Sequence, residues 1–186
     1  MELWPELKLG WLNGWLLWAL LTLVEALLLG IARKGAAARL FDRSRWSRKR
    51  RVPFAIGKLV SVICLVLITL TPLRTGAPLF GVGMVLFGLG LALLLSAVIA
   101  FKRTPQGEPV TRGIYRFSRH PQLVALTIAF TGICLSIGSW PALAALALSR
   151  LLQHPGALAE EEACLAQYGE AYQAYMQRTP RYLGFR

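Results

Sequence analysis

Acidic side chains are scarce in this chain: nine Asp and Glu stand against 21 Lys and Arg, for a formal net charge of +12. Histidine is scarcer, with His120 and His154 alone, too few for a convincing metal site, and no cluster has metal-ligand spacing. Cysteine supplies no disulfide framework. Cys64 and Cys134 lie inside apolar runs and Cys164 in a charged helical stretch, so all three read as small, reduced, partly buried side chains. A phosphate-binding Gly-rich loop and a Gly-x-Ser-x-Gly nucleophile elbow are both missing. Gly88-Leu89-Gly90 falls in the middle of an apolar run, where it reads as close helix packing and not as a dinucleotide-binding turn. The common soluble-enzyme templates are therefore excluded.

What the chain has instead is apolar length. Hydrophobic residues make up 55% of it, an odd companion to +12 unless the two kinds of residue are segregated, and they are. A helix needs about 20 apolar residues to cross roughly 30 Å of hydrocarbon. Trp11 to Ala32 has that length, with Glu25 its only charge before the basic segment, and is too long and lacks the cleavage site for a signal peptide. Phe54 to Leu73 is interrupted only by Lys58, and Leu79 to Phe101 carries no charge. Shorter runs follow over Gln122–Ile137 and Pro141–Leu152, joined by Gly138-Ser139-Trp140-Pro141. The expectation is an all-α integral membrane protein of about five transmembrane helices. The last two would form a short helical hairpin, unless the fifth continues past Pro155 with a kink. Antiparallel spans put Glu25 and Lys58 at similar depth, as an ion pair or with Lys58 reaching for the interface.

Orientation follows from the basic residues. Arg33–Arg51 holds nine of them against Asp42 alone, Lys102–Arg119 holds five, and the chain from Arg150 onward holds four. Five spans place all eighteen on one side, leaving Lys8 and Arg74 on the other. The expected topology has the N-terminus outside and the C-terminus cytoplasmic. The basic loop reads as a topology signal drawn to anionic lipid headgroups; it abuts two membrane helices, and no nucleic-acid motif accompanies it. Two regions are expected: 1–78, with two helices and the basic loop, and 79–186, carrying three helices, a linker and a C-terminal amphipathic helix.

Chemistry concentrates in two polar stretches. Thr104 to Tyr115 is an irregular linker rich in Gly and Pro, running into Arg116-Phe117-Ser118-Arg119-His120-Pro121. Proline suits a first helical turn, so Arg119 and His120 stand at a helix entrance, where backbone donors favour anions; a lone arginine there also serves as a headgroup anchor. Glu160-Glu161-Glu162 places three of the nine carboxylates in succession. They suit an ion pair with Arg119 or Arg116, or a cationic ligand. Beyond them Leu165, Tyr168, Tyr172 and Tyr175 recur at helical spacing, the stripe of one amphipathic helix.

Gly113-Ile114-Tyr115, Arg119-His120-Pro121, Glu161-Glu162-x-x-Leu165-x-x-Tyr168-Gly169-x-x-Tyr172-x-x-Tyr175 and Arg178-Thr179-Pro180-Arg181 together resemble the isoprenylcysteine carboxyl methyltransferase and phospholipid methyltransferase superfamily. The match runs over roughly Leu79 to Arg181. The resemblance implies a membrane-embedded methyltransferase using S-adenosylmethionine in a cytoplasm-facing pocket. Carried over by motif, cofactor contacts would come from Glu108, Pro109, Val110, Tyr115, His120, Pro121, Gln122, Leu123 and Glu161. Arg119, His120 and Glu162 would be catalytic, with His120 or Glu162 accepting the proton of an amine substrate, and no metal is implied. The acceptor would be lipophilic or amphipathic, a lipid amine or a small hydrophobic thiol or carboxylate, arriving sideways from the bilayer. Leu123 stands where the family often has tyrosine. Ala157 stands where isoprenylcysteine enzymes keep a substrate-binding arginine, which argues against a prenylcysteine carboxylate. The other open reading is a scaffold or transport-associated protein that kept the fold without the chemistry.

Overall fold

The computed structural model describes residues 1–30, 48–105 and 107–184, with side chains omitted for 27–30. Most of the basic segment Arg33–Arg51 and its expected headgroup contacts lie outside these residues, as do Gln106 and the end of the first expected span. The elements are α1 (Trp15–Gly30), α2 (Arg48–Leu70), α3 (Pro78–Arg103), a 3-10 turn (Gly113–Arg116), α4 (Pro121–Ser136), α5 (Trp140–Tyr168) and α6 (Glu170–Arg178). Among the described residues there is no strand, only isolated bridges between Glu2 and Ser139 and between Asn13 and Pro72.

Proline opens three of these helices. Pro78, Pro121 and Pro141 each sit in a first turn, where a missing N–H leaves no bond unmade. Ser139 caps α5, its hydroxyl accepting from Ala142 N at 3.3 Å. Two helices, α2 and α3, are long and apolar enough to cross a membrane; α1 and α4 are apolar but shorter. Their outer faces stay apolar, with Leu59, Val62, Val66, Val82 and Val85 all exposed. Such contiguous apolar surface suits lipid better than water.

The bundle is built from two pairs, α3 along α4 and α2 along α5. In the first pair small residues let the backbones meet. A methyl group on Gly90 would lie 2.5 Å from Ala129 N, and one on Gly132 would lie 2.5 Å from Phe87 N. Of the expected packing pair Gly88 and Gly90, only Gly90 meets the neighbouring helix; Gly88 faces open space. In the second pair the Gln153 amide donates to Gly57 O at 3.2 Å and to Ser61 Oγ at 2.8 Å. Glu25 on α1 lies in the field of Arg150 on α5, while the Lys58 ammonium sits 5.5 Å above the centre of the Phe54 ring.

Several expectations are decided here. The fifth helix is not the short arm of a hairpin but the longer alternative: α5 runs through Pro155 for 29 residues, roughly 43 Å, so Glu160–Glu162 lie within it. Nor do α4 and α5 pack as a hairpin along their lengths, because each leans chiefly on an earlier helix. The C-terminal stripe also breaks. Gly169 adopts φ 56°, ψ −132°, a conformation open in practice to glycine alone, ending α5 at Tyr168 and starting α6 in a new direction. The turn folds Tyr172 and Tyr175 onto Ala97 and Tyr115, a small second core completed by Val110, Ile114 and Cys164.

The polypeptide ends of the bundle are distinct. At one, Lys8 N bonds Leu70 O at 2.8 Å, Arg74 N bonds Ser136 O at 2.9 Å and Trp140 N bonds Glu2 O at 3.1 Å. Arg74 and Glu2 form an ion pair there. The opposite end gathers the close of α3, the linker, the start of α4 and the second half of α5.

Candidate functional site

The entrance of α4 is shaped by its neighbours in sequence and by the C-terminal segment. Ser118 Oγ accepts from His120 N at 3.1 Å and donates to Arg181 O at 3.0 Å. Arg119 N donates to Pro180 O at 3.0 Å and His120 N to Arg181 O at 3.3 Å, so residues 180–181 run beside 118–120. Tyr175 Oη donates to Tyr115 O at 2.7 Å, tying α6 to the 3-10 turn just before the entrance. With Pro121 fixing the first turn, the side chains of Arg119 and His120 turn inward and are almost fully buried.

Helix phase selects one of the three consecutive glutamates. Leu146, Ser149, Ala157 and Glu161 recur at the steps of one buried face of α5, so Glu161 is carried inside with only 4% of its side chain exposed. Its Oε1 meets His120 Nε2 at 3.1 Å and Arg181 Nε at 2.9 Å, and its Oε2 accepts from the second Arg181 nitrogen at 2.9 Å. Arg119 Nε lies 3.3 Å from Oε1 as an ion pair without hydrogen-bond geometry, leaving that buried donor without a partner. Burial alone would raise the Glu161 carboxyl, but the bonds from His120 and Arg181 and the charges of Arg119 and Arg181 hold it down at about 2. For His120, burial works against the charged ring, and contact with Glu160 and Glu161 outweighs it, so the net shift is upward. Its Nδ1 is 3.6 Å from Glu160, whose carboxylate is half exposed.

The third glutamate leads elsewhere. Glu162 points outward into a two-pronged pair with Arg50 in the first turn of α2, at 2.6 and 2.7 Å. Of the two arginines expected to meet the glutamates, Arg119 does so, whereas Arg116 is exposed on the 3-10 turn. Tyr115 is buried in the tyrosine core, its hydroxyl accepting from Gln122 at 3.4 Å. Burial, with the charge of Glu160 behind it, pushes that hydroxyl far above its usual range. Pro121, Gln122 and Leu123 form the first turn of α4. Val110 packs on the tyrosine core, while Glu108 and Pro109 line a cavity of about 380 Å³ between the linker and α6, bordered by Thr104, Arg112, Ala174 and Arg178. The motif residues thus divide among an ion cluster, a tyrosine core and a linker cleft.

Three participants escape sequence reasoning. Arg181 supplies two of the bonds on Glu161; it closes the Arg-Thr-Pro-Arg run, but nothing local marks it as a partner of a residue twenty positions earlier. Tyr182 accepts or donates at His154 Nδ1, 2.9 Å away, and its ring lies 6.0 Å from that of His120. His154 itself, one of only two histidines, carried a signal in its rarity.

Set beside known proteins, residues 77–171 match the family described as phospholipid methyltransferase. Neither the curated proteins nor the solved structures give a match. The matched stretch contains α3, the linker, α4 and α5, and therefore Arg119, His120, Glu160 and Glu161, and it ends before Arg181.

Proposed function

We propose that this chain, which belongs to the phospholipid methyltransferase family, transfers a methyl group from S-adenosylmethionine to a lipophilic acceptor at the charged end of its membrane bundle. The observation that carries the reading is the buried Arg119–His120–Glu161 cluster, which falls inside the family match and caps an apolar bundle. The donor set fits the cofactor. A group bearing a carboxylate, an ammonium and a sulfonium calls for acids and an anion site together. Glu160 and Glu161 supply the acids, and the unpartnered Nε of buried Arg119 supplies a donor for the carboxylate. Gln122 and Tyr115 border them.

When bound, the cofactor contributes a methyl carbon on positively charged sulfur, open to in-line displacement. The chain's own contribution is positioning and dehydration. Arg119 and His120 hold Glu161 in one orientation within a buried pocket of charge. Contact with Glu160 and Glu161 favours the protonated form of the His120 ring, and Glu162 is engaged by Arg50. An acceptor that attacks as an anion or as a neutral amine needs no base from either. In our reading this end faces the cytoplasm with the N-terminus outside, the basic residues 33–51 rest on anionic headgroups, and the acceptor enters sideways from lipid.

The test is ligand binding followed by product identification. S-adenosylhomocysteine should raise the melting temperature of the detergent-solubilised protein, and His120→Ala or Glu161→Ala should remove the shift. No shift in the unmodified protein at millimolar ligand would sink the proposal. Labelled methyl transfer into a total lipid extract then identifies the acceptor.

A further inference from the structure

We infer that Arg181 is an internal stand-in for the cationic end of the cofactor, held on Glu161 by a C-terminal strap, residues 179–184, that lets go when the cofactor binds. This rests on the assignment of Glu161 to the cofactor site. The three cationic side chains around Glu161 are not equivalent. Arg119 and His120 belong to the α4 entrance and are 9% and 6% exposed, whereas Arg181 is 31% exposed and comes from beyond the end of α6. Among the described residues Arg181 is also the one hydrogen-bond partner of Oε2, and its fork takes both oxygens at 2.9 Å. A guanidinium so placed satisfies a carboxylate fully in geometry and charge. With Arg181 in place an incoming cation would be a fourth positive group on a carboxylate already faced by three, at close range to the guanidinium.

The strap is fastened so that it can come away as a unit. It has no regular secondary structure, and beyond Thr179, which is buried and bonded to Tyr175 O at 3.0 Å, its ties among the described residues are the bonds from Arg119 N, His120 N and Ser118 Oγ and the Tyr182 ring set against His120 and His154. Losing Arg181 would leave Glu161 with Arg119 and His120, the two groups that fix its orientation, and with one oxygen free for an incoming ammonium or sulfonium.

Calorimetric titration with S-adenosylmethionine and trypsin digestion test this together. Arg181→Gln should bind S-adenosylmethionine about tenfold more tightly than the unmodified protein, which is about 1.4 kcal/mol. Arg181→Lys, which cannot fork, should fall between. In the unmodified protein the cofactor should hasten trypsin cleavage after Arg181, a readout that does not depend on any variant folding. Binding by the unmodified protein, with equal or weaker binding by Arg181→Gln and slower cleavage in the presence of cofactor, would make Arg181 a plain structural tie and overturn the inference. Absence of binding by every form is a different result: it removes the methyltransferase reading, and the strap falls with it.

Discussion

The α3–α4 seam and the ion cluster at its far end are both close-packed, by opposite means. Along the seam, Gly83, Gly90 and Gly132 remove side chains so that backbones touch, and the contact is made of many small, interchangeable attractions. At the cluster, three basic side chains converge on one buried carboxylate, and each contact depends on the others. A seam of this kind tolerates graded damage. A cluster fails when its centre is removed, because a buried charge left alone is far more expensive than a lost van der Waals contact.

Substitutions at the two places measure that contrast. Glu161→Gln, which leaves Arg119 facing a neutral amide, should destabilise the protein by about 3 to 5 kcal/mol in detergent unfolding and abolish cofactor binding. Gly90→Leu should destabilise by about 1 to 3 kcal/mol, while the molecules that remain folded bind cofactor normally. Comparable loss of cofactor affinity from Gly90→Leu would mean the seam and the cluster are one cooperative unit.

Acidity separates them further. The raised His120 contributes stability that is complete below its ordinary value of 6.5 and is lost as pH rises through the folded value. The depressed Glu161 contributes above 4.5 and loses its share as pH falls toward about 2. The melting temperature should therefore plateau between pH 4.5 and 6.5 and decline on the alkaline side, and His120→Gln should flatten that decline. The smallest effect belongs to the surface. Glu162→Gln breaks an exposed pair with Arg50 and should leave the melting temperature within about 2 °C and methyl transfer within about twofold.

Sequence reading succeeded where one residue type settles the matter. Uninterrupted apolar runs mark α2 and α3, and Pro121 marks the α4 entrance that buries His120. It could rank Glu160, Glu161 and Glu162 no further than as a triplet, because neighbours on a helix point about 100° apart and only the packed face tells which is inside. It carried the tyrosine stripe straight through Gly169, since spacings of three and four fit one helix or two. At Pro155 it left two readings open, a helix that stops and one that continues, because a proline inside a helix gives no sign of its tolerance until the helix beside it is known. Arg181 was invisible as a ligand of Glu161 for the simplest reason, that its contact depends on how the chain returns.

The arrangement of α2 to α5 as two pairs bears on how the bundle is held shut. Consecutive helices α4 and α5 are joined by the Gly138–Ser139 turn at one end and by the contacts of Glu161 with Arg119 and His120 at the other, with comparatively little between. Two ribs pinned at both ends, each committed along its length to an earlier partner, make a closed frame. The same few ion pairs that close the frame therefore also fix how far the start of α4 can part from the second half of α5, so loosening them would open the bundle from its charged end first.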